Sequence, residues 1–282
     1  MSVFFIFAAN GRMILIVGKY QLLADCIADK FRAMGLGDDV QVRNTARLVD
    51  FLTLNHQDIS LLIYVDKRRD EDAEDPSRID YLQLLWTITA KHSIPFILLS
   101  FKYDVNYMID EQMNRFPAWV EKQYRRPPFF YLLKLTELYG TGDRVSALDE
   151  FYRQIERDGV ASIVRQLDEH GDVVERQLDY VYVKDVLRVL YWFVTHRPEN
   201  GLYELGSGFP RTDTAVANAV FRTLKQTPNL QYIEETKGRV CPDWPVLNAD
   251  LTHLRRIGYK KPFYPIEKGV KSYIQKSFFQ EG

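Results

Sequence analysis

A glycine at the end of a short apolar segment is the first feature of this sequence that points to chemistry. Residues 13–17 have the sequence MILIV, Gly18 follows them, and residues 22–34 carry apolar side chains at helical spacing. A buried strand that turns at a glycine into a helix brings the free backbone N–H groups of the helix N-terminus to a point where a phosphate group can bind. The pattern therefore predicts a nucleotide-binding turn at Gly18.

The rest of the chain supplies the elements that would position this turn. Short apolar segments predict buried strands, and amphipathic helices are predicted between them. The predicted strands are 13–17, 39–42, 59–65, 94–100, 129–135 and 201–207, with a further strand near 180 that passes into a helix, and the tail from 249 to 278 is predicted to form short helices. This alternation predicts an α/β protein, with a Rossmann-like doubly wound parallel sheet and a smaller C-terminal α/β cap domain.

We expect the domain boundaries to follow from these elements. Residues 1–12 are interpreted as an N-terminal extension, because the first strand begins at Met13, which we take as the natural start. Residues 13–145 would form the Rossmann-like nucleotide-binding domain, with strands returning to it from 178–206. Residues 146–282 would form most of the C-terminal substrate or cap region. The charge-dense segment 66–78 between the third strand and the next helix is interpreted as a solvated loop.

Composition excludes several classes of function. Lys and Arg total 37 and Asp and Glu total 38, so the formal net charge of −1 predicts neither nucleic acid nor an anionic membrane as a partner. No apolar segment is long enough to predict a membrane span. Two cysteines make no disulfide framework and fit a cytoplasmic location. The five histidines are scattered without metal-ligand spacing, so no metal site is predicted.

Four motifs in the second half of the chain occur together and in a recognisable order. They are YLLKLTELYG (131–140), LDYVYVKDV (178–186), GLYELGSG (201–208) and NADLTHLRRIGYKKPF (248–263). In order and spacing they resemble the nucleotide-sugar epimerases of the extended short-chain dehydrogenase/reductase superfamily. Within that superfamily the last motif is typical of the ADP-glycero-manno-heptose 6-epimerases.

The resemblance implies a cofactor, a substrate and a reaction. Such enzymes hold NAD or NADP in the Rossmann domain and close a smaller domain over an ADP-sugar. The sugar is oxidised transiently, and the hydride is returned to its other face. A Tyr-x-x-x-Lys pair with a Ser or Thr hydroxyl transfers the proton. The family commonly self-associates, so the resemblance also implies a homo-oligomer.

The cofactor positions that the resemblance assigns are only partly filled by the expected residues. The glycine motif begins at Gly18, but its middle and last positions fall on Gln21 and Ala24. Lys19 could compensate with a positive charge, and the ribose-binding acid is replaced by Arg43. Because the glycines let pyrophosphate approach the helix N-terminus, we expect dinucleotide binding to be weakened or lost.

The catalytic positions are also altered. Ser100 ends the predicted fourth strand, and Phe101 takes the place of the hydroxyl that relays the proton. Tyr103 and Tyr107 are the weak candidates for the acid/base, but Tyr107 and Glu111, not lysine, lie four residues beyond them. A tyrosine without a neighbouring lysine keeps a pKa of about 10 and is a poor base at neutral pH.

A Tyr-x-x-x-Lys spacing does occur at Tyr180 and Lys184 and again at Tyr264 and Lys268. Both are interpreted as coincidences. The first lies largely in a predicted strand, where a separation of four residues does not bring side chains together as one helical turn does. The second contains Pro265 and lies close to the C-terminus.

The substrate positions are better preserved. Lys134 replaces the arginine and Glu137 the asparagine of the family's RYFNVYG motif, and Arg176 lies near the position of its diphosphate-binding arginine. Lys237 and Arg239 could also meet phosphate, with solvated surface charge as the competing interpretation.

Two main hypotheses follow, beside a third in which the chain binds a different nucleotide at the Gly18 turn. In the leading one the chain is a degenerate epimerase homologue with a binding, regulatory or assembly role in sugar-nucleotide or surface-polysaccharide metabolism. It would bind a nucleotide sugar or a protein partner, and either NAD, NADP or no cofactor. In the alternative it is an active NAD(P)-dependent epimerase with a rearranged site. The two differ in whether a Tyr and a Lys converge beside an open pocket in segment 100–124, or Gln21 and Phe101 fill that pocket.

Overall fold

The structure is a computed structural model that describes residues 12–18, 20–36, 40–43, 47–66, 77–103, 111–141, 146–167, 170, 172–234 and 246–280. The chain divides into two compact units. The first, here called the sheet unit, comprises Met1–Leu135, Val186–Leu205 and Leu251–Lys260, and the remaining residues form the second unit. The second unit begins at Thr136, ahead of the expected boundary at 146, and includes residues 178–185, which we had expected to return to the large sheet. Residues 1–11 of the expected extension lie outside the described residues.

In the part of the chain that the structure describes, six parallel strands form the core of the sheet unit. They are β1 (Met13–Gly18), β2 (Val40–Arg43), β3 (Ile59–Val65), β4 (Phe96–Phe101), β5 (Phe130–Leu135) and a last strand, β11 (Gly201–Leu205). The helices of this unit are α1 (Gln21–Ala33), α2 (Leu48–Asn55), α3 (Ser77–Lys91), α4 (Glu111–Glu121), most of α6 (Val183–His196) and α8 (Thr252–Arg256). This arrangement confirms the predicted Rossmann-type α/β fold.

The order of the strands identifies the point where a ligand would be expected. The sheet runs β11-β5-β4-β3-β1-β2, and every adjacent pair is parallel. The chain therefore passes from β1 to β2 on one side and returns to β3 on the other, which makes β1 and β3 the switch point. Dinucleotide-binding sheets have the order 3-2-1-4-5-6, with two strands beyond the first. In the described residues β2 alone lies beyond β1, so the first five strands follow the flavodoxin-like order 2-1-3-4-5.

Burial of the strands on both faces explains their nearly continuous apolar sequences. All residues of β4 and β5 are buried, as are those of β1 after its first residue. Trp86 of α3 lies at the centre of an aromatic cluster, with ring centroids 4.8 Å from Phe130 and 6.4 Å from Phe116. Close-packed rings of this kind fix α3 and α4 against β5.

The described residues of the second unit form short strands and three helices. Its strands are β6 (Glu137–Tyr139), β7 (Ala161–Leu167), β8 (Val173–Glu175), β9 (Gln177–Leu178), β10 (Tyr180–Tyr182), β12 (Arg211–Thr212) and β13 (Leu230–Glu234). Its helices are α5 (Ala147–Asp158), α7 (Asp213–Leu224) and α9 (Ile266–Gln280). β10 pairs with β6, β12 with β9, and β13-β7-β8 form a three-stranded sheet.

One sequence-based expectation about these elements was wrong, and one sheet was missed. The tail ends in α9, a helix of 15 residues, and not only in short helices. The β13-β7-β8 sheet was not predicted at all. Within the segment 66–78, which was interpreted as a solvated loop, the terminal residues Asp66 and Arg78 are buried, at 1% and 7% exposure. The other residues of that segment from 67 to 76 lie outside the described residues.

Candidate functional site

The candidate site is the edge of the sheet unit where the parallel strands end. In open α/β sheets, ligands bind outside the carboxyl ends of the strands at the switch point. Here Gly18 ends β1, Asp66 follows β3, and Phe101 ends β4. Gly18, Ser100 and Lys134, all predicted as site residues, lie at or beside this edge.

Gly18 is held in close contact with β3. A Cβ atom at this position would lie 3.1 Å from the Val65 Cβ and 3.2 Å from the Val65 carbonyl oxygen. Both separations are tighter than ordinary van der Waals contact. The close approach of two strands therefore accounts for the glycine without any ligand.

The start of α1 combines features for and against phosphate binding. Tyr20 precedes the helix and provides no side-chain cap, so the first backbone N–H groups are left to water or an anion. Gln21 is exposed, and its Nε2 donates to Asp25 Oδ1 at 2.9 Å. The Gln21 side chain therefore lies along the surface of α1. Ala24 is buried in the core. The middle glycine position thus carries a solvent-facing amide that does not fill a pocket.

An aromatic pair lies over the ends of β1 and β4. The Tyr20 and Phe101 ring centroids are 6.0 Å apart, with the planes tilted by 41°. Phe101 is 6% and Tyr103 is 7% exposed, and Ser100 is buried beside them. Phe101, at the position expected to supply a proton-relay hydroxyl, therefore packs against the glycine turn.

Lys102 and Tyr103 meet directly after β4. The Lys102 Nζ lies 5.6 Å from the Tyr103 ring centroid and 2.6 Å from Glu204 Oε2 on β11. Burial would lower the pKa of Lys102, but the hydrogen bond and charge of Glu204, with a contribution from Tyr103, hold that pKa above its ordinary value. A Lys and a Tyr thus converge here, but the charge of the lysine is balanced by a carboxylate.

A buried ion pair closes the end of β3. The Nη2 of Arg78 lies 2.6 Å from Asp66 Oδ2, and its Nε donates to the same oxygen at 2.8 Å. The Asp66 backbone N–H donates to the Leu99 carbonyl at 2.8 Å. Both charges are removed from water and satisfy each other. Sequence reasoning missed this pair, because the acidic segment between its members hides which charges are buried.

The predicted substrate residues have partners within their own units. In the sheet unit, Lys134 is 5% exposed and donates to Asn114 Oδ1 at 2.5 Å. In the second unit, Glu137 is 4% exposed and accepts a bond from the Ala147 N–H at the start of α5. Arg176 Nη2 lies 2.8 Å from Asp213 Oδ2. These contacts show structural roles for the three residues, and their binding to a substrate stays a prediction.

The structure does not describe every predicted site residue. Arg43 ends β2, where its backbone pairs with Val17, and its side chain lies outside the description. The predicted residues outside the described ranges are Lys19, Tyr107, Lys237 and Arg239. Within those ranges, no cluster of three or more His, Cys, Asp or Glu side chains is placed to hold a metal ion. None of the described helices has the length and apolar content needed to cross a membrane.

The fold is shared with solved nucleotide-sugar enzymes. An ADP-L-glycero-D-manno-heptose-6-epimerase from Helicobacter pylori superimposes with a TM-score of 0.73, covering 95% of this chain and 96% of that one at 14% identity. A UDP-glucose 4-epimerase from Thermus thermophilus, solved in complex with NAD, gives a TM-score of 0.70 over 94% of this chain and 98% of that one, also at 14% identity. A Bordetella bronchiseptica enzyme in complex with NAD and UDP gives 0.73 over 95% of this chain and 96% of that one, at 10% identity.

Comparison with the sequences of curated proteins also finds nucleotide-sugar epimerases, at higher identity than the solved structures. An ADP-L-glycero-D-manno-heptose-6-epimerase from Fusobacterium nucleatum is 26% identical over 233 residues, which span 71% of this chain and 70% of that protein. The enzyme of the same name from Nitratidesulfovibrio vulgaris is 30% identical over 154 residues, 51% of this chain and 46% of that protein. No protein-family model matches the chain.

Fold and sequence together define a class. By sequence the chain is similar to nucleotide-sugar epimerases, the class of the extended short-chain dehydrogenase/reductase superfamily that its motifs indicated, and it shares the fold of solved epimerases. Within that superfamily it is a relative of the ADP-L-glycero-D-manno-heptose-6-epimerases, which confirms the resemblance drawn from its motifs.

Proposed function

We propose that this chain is a degenerate nucleotide-sugar epimerase homologue with a binding, regulatory or assembly role, and that it does not carry out the redox reaction of its relatives. The supporting observation is that the carboxyl edge of its sheet is bridged by its own side chains. Phe101 packs on Tyr20, Asp66 pairs with Arg78, and Lys102 pairs with Glu204. Two of these pairs lie where β1, β3 and β4 end, and the third joins the end of β4 to β11. These contacts support the proposal that a nicotinamide dinucleotide is not bound at this edge.

The strand order supports the same proposal. A dinucleotide site is made of two mononucleotide-binding halves, each with its own set of strands. On the β2 side of this sheet the described residues provide one strand where the dinucleotide order has two. The adenosine half of a dinucleotide would therefore have less sheet to bind against.

The alternative of an active enzyme has one specific observation in its favour. Lys102 and Tyr103 are in contact, and a lysine beside a phenol is the pairing that the epimerase reaction needs. Glu204 weakens this argument, since its carboxylate at 2.6 Å offsets the positive charge that would lower the pKa of the phenol.

The role would belong to the metabolism suggested by the relatives' names. An ADP-sugar would be the nucleotide-sugar ligand, and NAD or NADP would bind weakly or not at all. We place the protein in the cytoplasm, as a homo-oligomer or with a protein partner, in lipopolysaccharide or other surface-polysaccharide biosynthesis. This placement rests on the family relationship.

Isothermal titration tests the proposal. The purified protein is first checked by absorbance for co-purified nucleotide and then titrated with NAD, NADP and an ADP-sugar. We expect no dinucleotide binding at micromolar concentration, with or without binding of the ADP-sugar. Micromolar binding of either dinucleotide would overturn the proposal.

An epimerase assay distinguishes the proposal from the alternative of an active enzyme. If turnover is detected and Tyr103→Phe abolishes it, the active-enzyme hypothesis replaces ours. Tyr124→Phe is the matched control, because Tyr124 is fully exposed. Absence of turnover in the parent protein supports the proposal.

A further inference from the structure

Three side chains of the second unit converge on one hydroxyl oxygen. The Lys184 Nζ donates to Ser272 Oγ at 2.8 Å, and the Tyr182 hydroxyl donates to the same oxygen at 3.3 Å. They come from three elements, since Tyr182 ends β10, Lys184 lies in the first turn of α6, and Ser272 lies within α9. Two donors, one of them cationic, are therefore aimed at a single point.

Lys184 is a half-buried residue, and its ammonium group has no carboxylate partner among the described residues. Its contacts there are the Ser272 hydroxyl and the face of the Tyr182 ring, whose centroid is 5.3 Å from Nζ. A partly desolvated cation gains most from a hydrogen-bonded anion. The neutral hydroxyl of Ser272 satisfies one donor of Lys184 and supplies no negative charge of its own.

The Tyr182 hydroxyl is held in place by its surroundings. Its ring stacks on Tyr139 with centroids 5.1 Å apart and planes 16° apart, and it meets the edge of Tyr264 at 5.5 Å. A Cβ atom at Gly140 would lie 2.5 Å from Tyr182 Cε2, so only a glycine permits this ring position. A fixed donor loses little freedom when it binds a ligand.

We propose that Lys184, Ser272 and Tyr182 form a binding site for an oxyanion, either a phosphoryl group or a carboxylate. The anion would accept from the ammonium and from both hydroxyls, with the Ser272 hydroxyl turning from acceptor to donor. Two acids, Asp185 and Glu267, lie in the same region, since both act on the hydroxyl of Tyr139. Asp185 Oδ2 is held by the Tyr264 N–H at 2.8 Å. This proposal does not depend on the one above, because it involves neither Gly18 nor the sheet edge.

The test is titration of the full chain with inorganic phosphate and, separately, with acetate, at constant ionic strength in chloride and without nucleotide. We expect saturable binding of phosphate or acetate, weakened about tenfold or more by Lys184→Met, because a hydrogen bond to a charged group is lost. Ser272→Ala is expected to weaken it by a smaller factor. Tighter binding of phosphate would identify a phosphoryl ligand, and tighter binding of acetate a carboxylate ligand.

Lys271→Met is the matched control, since it removes an exposed positive charge one residue from Ser272. It should leave binding unchanged, and circular dichroism should show that each variant folds. An equal loss of affinity for the anion in Lys271→Met and Lys184→Met would show a nonspecific charge effect and would overturn the proposal. The proposal would also be overturned if neither phosphate nor acetate binds in the chloride buffer. Because no nucleotide is used, either result is independent of the dinucleotide titration.

Discussion

At the scale of the residue, Asp179 shows how a buried acid can be explained by structure alone. It is 0% exposed, and its Oδ1 accepts from the Ser207 N–H and hydroxyl, both at 2.6 Å. Its Oδ2 accepts from the N–H groups of Gly208 and Ala249. Burial raises the pKa of this carboxyl, and the four hydrogen bonds oppose that rise. Asp179 therefore joins three loops of the second unit.

Replacing this carboxylate should be costly. We expect Asp179→Ala to lower the free energy of unfolding by about 3 kcal/mol or more, because buried N–H groups lose their acceptor. Denaturant unfolding followed by circular dichroism measures this change. Asp158→Ala, which removes an exposed acid paired with Arg157, should leave the unfolding midpoint unchanged. Similar midpoints for the two variants would contradict the structural role.

At the scale of the element, α9 carries a glycine that its packing requires. A Cβ atom at Gly269 would collide with the hydroxyl oxygen of Tyr139, a buried side chain of β6. That hydroxyl has no hydrogen-bond partner in the described residues, and burial raises its pKa well above 10. This contact brings α9 so close to β6 that a residue larger than glycine does not fit at position 269.

This contact should reverse the usual effect of glycine in a helix. An exchange of glycine for alanine within a helix normally stabilises by about 1 kcal/mol. Here we expect Gly269→Ala to destabilise the protein, with a lower melting temperature. The double variant Gly269→Ala/Tyr139→Phe should recover part of the loss, because the clashing oxygen is gone. A stabilised single variant would show that the helix shifts freely.

The elements also show what could be predicted from sequence. β3 was predicted at its observed bounds, because its apolar segment is nearly continuous and short. α9 was not recognised as one helix, since Pro265 and Gly269 suggest breaks. β13 was missed because Gln231, Tyr232 and Ile233 are exposed and show no alternation. The Gly18 turn was predicted, but the Asp66–Arg78 pair was not, since only tertiary packing decides which charges of an acidic segment are buried.

At the scale of the whole molecule, the charges nearly balance. The formal net charge is −1 at pH 7, and the isoelectric point expected from composition is about 6.5. Proteins associate most readily where their net charge is zero. We therefore expect solubility to pass through a minimum near pH 6.5, measured by precipitation with polyethylene glycol across a pH series. A minimum far from this value would indicate that buried groups titrate abnormally in the folded protein.

The contact between Gly18 and Val65 has a consequence for how such chains are recognised. Since strand packing alone disfavours a side chain at Gly18, a chain that gave up its cofactor would still gain from retaining this glycine. A single glycine after the first strand then reflects the packing of two strands and does not by itself indicate a ligand. A search that scores this position will report nucleotide binding equally in chains that bind a nucleotide and in chains that do not.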